Sequence, residues 1–317
     1  MRHVFILNPA AGKKQKALDL KQQIEAVFAD EPDETYEIFV TDAPKAAEHM
    51  ARREAAKGDA VRVYACGGDG TLMETASGLL GLPNAQLACV PCGSANDFVR
   101  AFGGDEPFLD LRQLIHGQEH MMDAISCNGK LSMNLCSMGM DADVGYRMKY
   151  FKRWPLVSGP TAYGLAVLVT LLHKIGHELR VVMEVVDETG TRIIERTGDY
   201  LFALAANGQY YGGGYHGAPN AKPDDGLLDF ILIRTISKIK AIGLLKVYKA
   251  GQHLALDICE FFRGTSMKVY AKKPAVVNLD GECTVETETC FELLPHAIRF
   301  VLPQSLTIPE QKPEVIV

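Results

Sequence analysis

The stretch Cys66-Gly67-Gly68-Asp69-Gly70-Thr71-Leu72-Met73-Glu74 follows an apolar run at 61–65 and opens a helix-like run at 72–80. A strand, a glycine-rich turn and a helix in immediate succession are the repeating unit of α/β layer folds. Glycines in such a turn leave the backbone bare, so a ligand can approach where a Cβ would collide. The helix that follows directs unpaired N–H groups and a partial positive charge at the same spot. Asp69, set among the glycines, suits a hard cation such as Mg²⁺ or its water shell. A plain tight turn would use the same glycines. Placed between a strand and a helix, however, Gly67, Gly68, Asp69, Gly70 and Thr71 read as a site for a polyphosphate with magnesium.

The flanking sequence repeats the pattern. Residues 4–7 read as a buried strand ended by Asn8-Pro9-Ala10-Ala11-Gly12, and 17–28 carry helical spacing through Leu20, Ile24, Val27 and Phe28. A strand at 36–40 precedes a helix at 44–57, with Thr41 or Asp42 near its cap and Pro44 in its first turn. The strands at 61–65 and 87–90 enclose the helix at 72–80, and a helix opens at 97–102 with Ser94 and Asn96 as capping candidates. The expectation is an α/β domain with a mostly parallel sheet over 1–121. Ligands in such folds bind at the carboxyl ends of the strands. The loops at 8–12, 41–42, 67–71 and 93–97 should therefore converge on one crevice.

Past residue 121 the signals change. Strand-like runs at 122–127 and 130–137 flank Asn128-Gly129, a hairpin turn. A helical insert is expected at 144–175, carrying Phe151, Trp154, Leu165, Val167 and Leu171. Strand runs return at 179–186, 191–195, 200–206 and 227–234, then a helix at 238–251. Further strands are expected at 259–262, 267–270, 276–279, 290–294 and 297–302. The second domain, 122–295, is predicted as a mainly antiparallel β-sandwich, and 307–317 as a loose tail.

Apolar residues at 47% and charged residues at 23% fit a folded globular chain. A net charge of −6 argues against nucleic acid as a main partner. The longest strongly apolar stretch, 164–172, is far short of the roughly 20 residues a bilayer span needs. Residues 3–7 are too few for a signal-peptide core. The expectation is a cytoplasmic protein that can touch a membrane. The eight cysteines sit mostly in apolar runs and read as reduced, packed side chains. Cys89-Val90-Pro91-Cys92 has no second pair to complete a zinc site and ends a strand rather than opening a helix. No G-x-x-x-x-G-K-[ST], H-E-x-x-H or G-x-S-x-G motif occurs.

Three further segments carry chemistry. In Pro91-Cys92-Gly93-Ser94-Ala95-Asn96-Asp97-Phe98, Ser94 and Asn96 suit ribose or phosphate contacts and Asp97 suits metal-bound water, beside plain helix capping. In Lys222-Pro223-Asp224-Asp225-Gly226-Leu227-Leu228-Asp229, the choice lies between a solvated hairpin and Mg²⁺ held by Asp225 with carbonyls near Lys222 and Leu227. In Asn278-Leu279-Asp280-Gly281-Glu282, Asp280 and Glu282 are both candidates to take a proton from an acceptor hydroxyl. Spacing does not choose between them. Lys13 and Lys14 could reach phosphate or be solvated.

Taken in order, the blocks 8–12, 67–74, 91–98, 218–228 and 280–282 resemble the diacylglycerol kinase catalytic-domain family, which includes sphingosine and ceramide kinases. The likeness is to its small soluble bacterial branch. It implies ATP- and Mg²⁺-dependent phosphorylation of a lipid hydroxyl, diacylglycerol or a related glycerolipid. It implies nucleotide contacts from Asn8, Pro9, Ala10, Ala11, Gly12, Thr41, Gly67, Gly68, Asp69, Gly70, Thr71, Leu72, Met73 and Ser94. Asp69 would join a magnesium and water network, a structural Mg²⁺ would sit near Lys222, Asp225 and Leu227, and the base would come from Asp280-Gly281-Glu282. The segment 296–317 would return to the first domain. Ser94 stands where threonine is usual, Met73 where asparagine is frequent, and Cys92 is unusual in its place. A membrane-bound substrate fits the apolar insert around Phe151, Trp154 and Leu165, and the basic cluster Arg147, Lys149, Lys152 and Arg153 beside it would meet anionic headgroups. An ordinary core helix with a solvated basic face is the alternative. Whether the chain is a monomer or a homodimer is left open. Two rival functions share parts of the pattern. One is an NAD kinase-like or phosphofructokinase-like enzyme, and the other is a nucleotide- or lipid-sensing protein without turnover.

Overall fold

Five successive residues of β1 (Arg2–Leu7) are buried, as in a parallel strand covered on both faces. In the computed structural model, which describes residues 1–12, 14–151 and 159–306, the chain continues through α1 (Lys14–Phe28), β2 (Thr35–Val40), α2 (Ala46–Ala55), β3 (Val61–Gly67), α3 (Asp69–Leu79), β4 (Ala85–Pro91), α4 (Asp97–Arg100) and α5 (Leu111–Ile115). β1 pairs in parallel with β2 and β3, and β3 with β4. The register sets Leu7 beside Val40 and Cys66, and Gly67 beside Pro91, so all four strands end level and their following loops leave one edge. This unit comprises Met1–His120 with Arg299–Val317. Its last pairing is Phe300 beside Leu87, and the Phe300 ring meets the rings of Phe98, Phe102 and Phe108 at 5.2, 6.2 and 6.3 Å.

The second unit, Met121–Ile298, begins inside β5 (Gln118–Cys127). It continues through β6 (Lys130–Ser132), β7 (Leu135–Gly139), α6 (Met140–Phe151), α7 (Gly159–Leu172), β8 (His177–Asp187), β9 (Gly190–Ala206), β10 (Leu228–Arg234), α8 (Lys238–Lys249), β11 (Cys259–Leu279) and into β12 (Glu282–Leu302). The strand pairs β5–β6, β7–β9, β8–β9, β9–β10, β7–β11, β8–β11, β10–β11 and β11–β12 are antiparallel. The alternation along β9 explains the layering. Ala203 and Ala205 join Leu179, Val181 and Met183 of β8 in one core. Phe202, Leu204 and Ala206 join Ala241, Leu244 and Tyr248 of α8 in the other.

Several local expectations change. The three runs at 259–279 are one strand, because a shift of register between Tyr270 and Ala275 absorbs Lys272-Lys273-Pro274 as an irregularity instead of ending the ladder. The run at 130–137 is two strands, because Met133 and Asn134 turn their amides to the Asp280 carboxylate. Asn128 and Gly129 do form the turn between β5 and β6, at φ 48° and 81°. Among the described residues, the insert carries α6 and α7. α2 starts at Ala46 with Lys45 at φ 65°, and the Lys45 amide donates to Glu74 of α3 at 2.9 Å, so neither Thr41 nor Asp42 caps it. α4 is four residues long, and Asn96 at its start makes no side-chain cap. Lys13, Lys152, Arg153, Trp154 and the tail 307–317 lie outside the described residues.

Each unit buries a histidine. His3 lies between Tyr64, whose hydroxyl is 2.8 Å away, and Glu34 at 3.2 Å, and burial pulls its pKa from 6.5 down to about 4. Burial likewise takes His253 in the second unit to about 4. A lowered folded-state value means the unfolded chain binds the proton more readily. Stability is therefore complete above 6.5 and is lost as pH falls toward 4, by about 3 kcal/mol per histidine. Urea unfolding at neutral pH and near pH 4.5 should show the loss, and His3→Gln should blunt the share that belongs to the first unit. An equally steep acid limb in that variant would assign the loss elsewhere.

Candidate active site

At the carboxyl edge of the parallel sheet, the loops after β3 and β4 touch backbone to backbone. The amides of Cys92 and Gly93 both donate to the Gly67 carbonyl, at 2.8 and 3.2 Å. A Cβ on Gly93 would stand 2.5 Å from the Gly68 Cα, and one on Gly67 would stand 2.2 Å from the Thr71 hydroxyl oxygen. Glycine at 67 and 93 is thus required by close approach within the protein. Gly70 differs: nothing lies within 4 Å of its Cβ position, which leaves its face open. The loop after β1 joins them through Asn8, whose side-chain amide donates to the Thr71 hydroxyl at 2.9 Å while its carbonyl oxygen accepts from the Ala10 amide at 3.0 Å. Thr41, after β2, is buried and donates its amide to the Leu7 carbonyl at 2.9 Å.

Gly68, Asp69, Leu72, Asn96 and Phe98 line a narrow crevice between these loops. Asp69 accepts from the Phe98 amide at 3.3 Å. After burial, the Asp69 charge is the next cause pushing the Cys89 thiol up, so that charge acts inside the crevice. Cys66 is also raised by burial, and both thiols are free. Such thiols are inert. Asn96 is held by its amide group to the Gly93 carbonyl and to Asp105, at 3.3 and 3.0 Å, and its side-chain oxygen is buried without a hydrogen bond. A carboxylate and an orphaned amide oxygen on one crevice are the oxygen donors Mg²⁺ accepts, with phosphate oxygens and waters completing the shell. Among the described residues, no group of three or more His, Cys, Asp or Glu side chains could hold a metal unaided.

The other first-unit candidates divide by exposure. The side chains of Leu72 and Met73 are buried in the core, so only their backbone can face a ligand. Ser94, Ala10 and Gly12 are exposed, and Pro9 and Ala11 are half-buried at the same edge. Asp97 is buried and pairs with Arg100 at 3.2 Å.

In the second unit, one hydrogen-bond network joins the two acidic turns. Asp280 accepts from the amides of Met133, Asn134 and Leu135 at 2.8, 3.3 and 2.8 Å. Burial pushes its carboxyl up, and these amides oppose that by holding the charged form. The Met133 carbonyl accepts from the Asn207 side chain, which also donates to the Asp123 carbonyl. The Asp123 carboxylate accepts from Gly226 at 2.8 Å and His296 at 2.7 Å. At the first turn, Arg263 bridges Asp225 and Asp229, and the other Asp225 oxygen accepts from the Leu227 amide at 3.2 Å. The cation at Asp225 in this structure is therefore a guanidinium. A divalent ion held there with the Lys222 and Leu227 carbonyls would share the Asp225 carboxylate with Arg263. Glu282, two residues after Asp280, is exposed, and its carboxylate makes no hydrogen bond among the described residues.

Sequence reasoning passed over Asp123, Asn207 and Arg263. An acid in the middle of the apolar run 122–125 was a visible sign for Asp123. Arg263 gave none, since its partners lie 34 and 38 residues away.

Comparison with known proteins covers both units. Residues 2–127 match the diacylglycerol kinase catalytic domain, and residues 134–302 match the YegS C-terminal NAD kinase beta sandwich-like domain. A protein of Shewanella frigidimarina named "Probable lipid kinase YegS-like" is 30% identical over 299 residues, 92% of each chain. One of the same name from Pseudomonas aeruginosa is 31% identical over 253 residues, 79% of this chain and 80% of its own. The crystal structure of a diacylglycerol kinase from Bacillus anthracis str. Sterne aligns with TM-score 0.67 at 20% identity, over 96% of this chain and 98% of that one. A second solved structure from that organism gives TM-score 0.71 at 22% identity, over 95% and 97%. At those identities the structures establish the shared fold.

Proposed function

Because the chain belongs to the YegS-like lipid kinase family, with its diacylglycerol kinase catalytic domain and NAD kinase-like β-sandwich, we propose that it transfers the γ-phosphoryl group of ATP to the hydroxyl of a membrane lipid. Diacylglycerol or a related glycerolipid is the preferred acceptor, met at the membrane surface. The observation that carries this reading is the crevice beside the touching Gly68 and Gly93 loops, with Asp69 and Asn96 on its wall.

Phosphoryl transfer asks the protein mainly for position and charge neutralisation. The open face at Gly70 lets the nucleotide's tail lie against the first turn of α3, whose partial positive charge favours it. Asn8 fixes Thr71 and so the slope of that turn. Bound with the nucleotide, Mg²⁺ would offset charge on the phosphate oxygens, and Asp69 with Asn96 would hold it or its water. The acceptor hydroxyl then attacks the γ-phosphorus, the bond to the β-bridging oxygen breaks, and ADP leaves. The proton goes to a carboxylate. Asp280 has its oxygens committed to backbone amides, whereas Glu282 is unencumbered, which favours Glu282 as the base and Asp280 as the group that holds the hairpin. Asp225 and Arg263 are read as structural.

Incubation with γ-labelled ATP and a total lipid extract, with parallel incubations on NAD and on fructose 6-phosphate, tests the assignment. Label is expected in a glycerolipid. Label in NAD or the sugar phosphate would move the protein to another kinase class, and ATP binding with no labelled product would leave a sensing protein.

A further inference from the structure

α8 faces two ways. Ala241, Leu244 and Tyr248 are buried against Phe202, Ile231 and Ile233. The opposite face carries Ile239, 84% exposed, and Ile242, 55% exposed. Isoleucines left in water at that level are not explained by packing within the unit. The charges are as uneven. The helix holds Lys238, Lys240, Lys246 and Lys249 and no acidic residue. Lys249 lies over the Tyr215 ring at 5.6 Å, but Lys238, Lys240 and Lys246 meet no carboxylate among the described residues. Lys246 and Lys249 sit in the last turn, where positive charge suits the helix dipole. Lys238 and Lys240 sit in the first turn, where it opposes the dipole, so helix stability gives no reason for them.

A second apolar stripe lies on α7. On α7, Gly164, Leu168 and Leu172 recur at four-residue spacing on the exposed side, with Leu168 and Leu172 at 57% and 72% exposure. Leu171 and Ile175, at the end of α7, pack into the same core as Ala241 and Leu244 of α8. Just beyond, a Cβ on Gly176 would stand 2.4 Å from the Thr235 hydroxyl oxygen, so the end of α7 and the approach to α8 are in contact.

We propose that α8, with the adjoining end of α7, is a docking surface for an anionic lipid bilayer. Ile239 and Ile242 would enter the acyl boundary and Lys238, Lys240 and Lys246 would lie at the level of the lipid phosphates. Exposed branched apolar groups interleaved with unpaired lysines are the composition of an interfacial helix. The net charge of −6 repels the whole chain from such a surface, so attraction has to come from a local cationic face. The choice of a bilayer as the occupant rests on the lipid-acceptor reading above, while the geometry of the face does not.

The test is sedimentation with vesicles of phosphatidylcholine alone and with added phosphatidylglycerol, at low and high salt. Wild type should bind the anionic vesicles, and high salt should weaken it. Lys238→Gln/Lys240→Gln/Lys246→Gln should reduce that binding on the order of a hundredfold. Ile239→Ser/Ile242→Ser should reduce it at least about tenfold. All five positions are exposed, so thermal unfolding should be unchanged, as should phosphorylation of detergent-dispersed lipid. Equal vesicle binding by wild type and both variants overturns the proposal, as does no binding by wild type. A change from dimer to monomer in the isoleucine variant also overturns it, since the face would then join two copies of the chain. Salt-sensitive vesicle binding that depends on α8, in a protein that phosphorylates no lipid, upholds the docking surface while removing the lipid kinase reading.

Discussion

Asp69→Asn is expected to lower turnover by about a thousandfold while the protein stays folded. The substitution keeps the size of the side chain and an oxygen for the Phe98 amide while removing the charge. A carboxylate in the first turn of a helix contributes at most about 1 kcal/mol through the dipole. That shifts thermal unfolding by only a few degrees. The catalytic loss should be several times larger in free energy, because neutralisation of the transferring group is most of what the site supplies. Turnover at saturating ATP and lipid, read beside the unfolding temperature, separates the two. Turnover near that of wild type would remove Asp69 from the reaction.

Glu282→Gln and Asp280→Asn should fail in different ways. The glutamate is exposed, so its replacement should leave stability unchanged and cost about a hundredfold or more in turnover. The aspartate accepts from three backbone amides. An asparagine there turns an NH₂ group toward amide donors, and losing charge-assisted bonds of this kind costs about 2–3 kcal/mol. Thermal unfolding of that variant should drop by several degrees, with turnover falling as the hairpin loosens. If Asp280→Asn unfolds like wild type yet loses turnover, and Glu282→Gln keeps it, the two roles are exchanged.

The parallel sheet was legible because its signals are local. Buried apolar runs of strand length, each followed by a glycine or polar loop and a helical period, need no information from distant residues. The four loops at one edge follow from that order, and Asn8, Gly67, Gly68, Gly93 and Asn96 do meet there. What was not legible depends on pairings across the chain. Asp280 and Glu282 look alike in sequence, and only the fold brings Met133 to Leu135 under the first of them. Arg263 occupies Asp225 from a strand nearly forty residues away. The merging of separate runs into β11 was hidden for a similar reason. Proline and lysine read as strand breaks, but a bulge in a long antiparallel ladder tolerates them.

The pairing of Phe300 with Leu87 has a consequence for biosynthesis. The opening segment of the α/β unit is made well before the strand that completes it. When the ribosome has released its opening 120 residues, the sheet lacks its neighbour beside Leu87 and the rings of Phe98, Phe102 and Phe108 lack the one they surround. Closure of the α/β unit therefore waits until β12 has been made. A nascent chain cut short before its final strand would be left with an exposed aromatic cleft in place of a finished kinase.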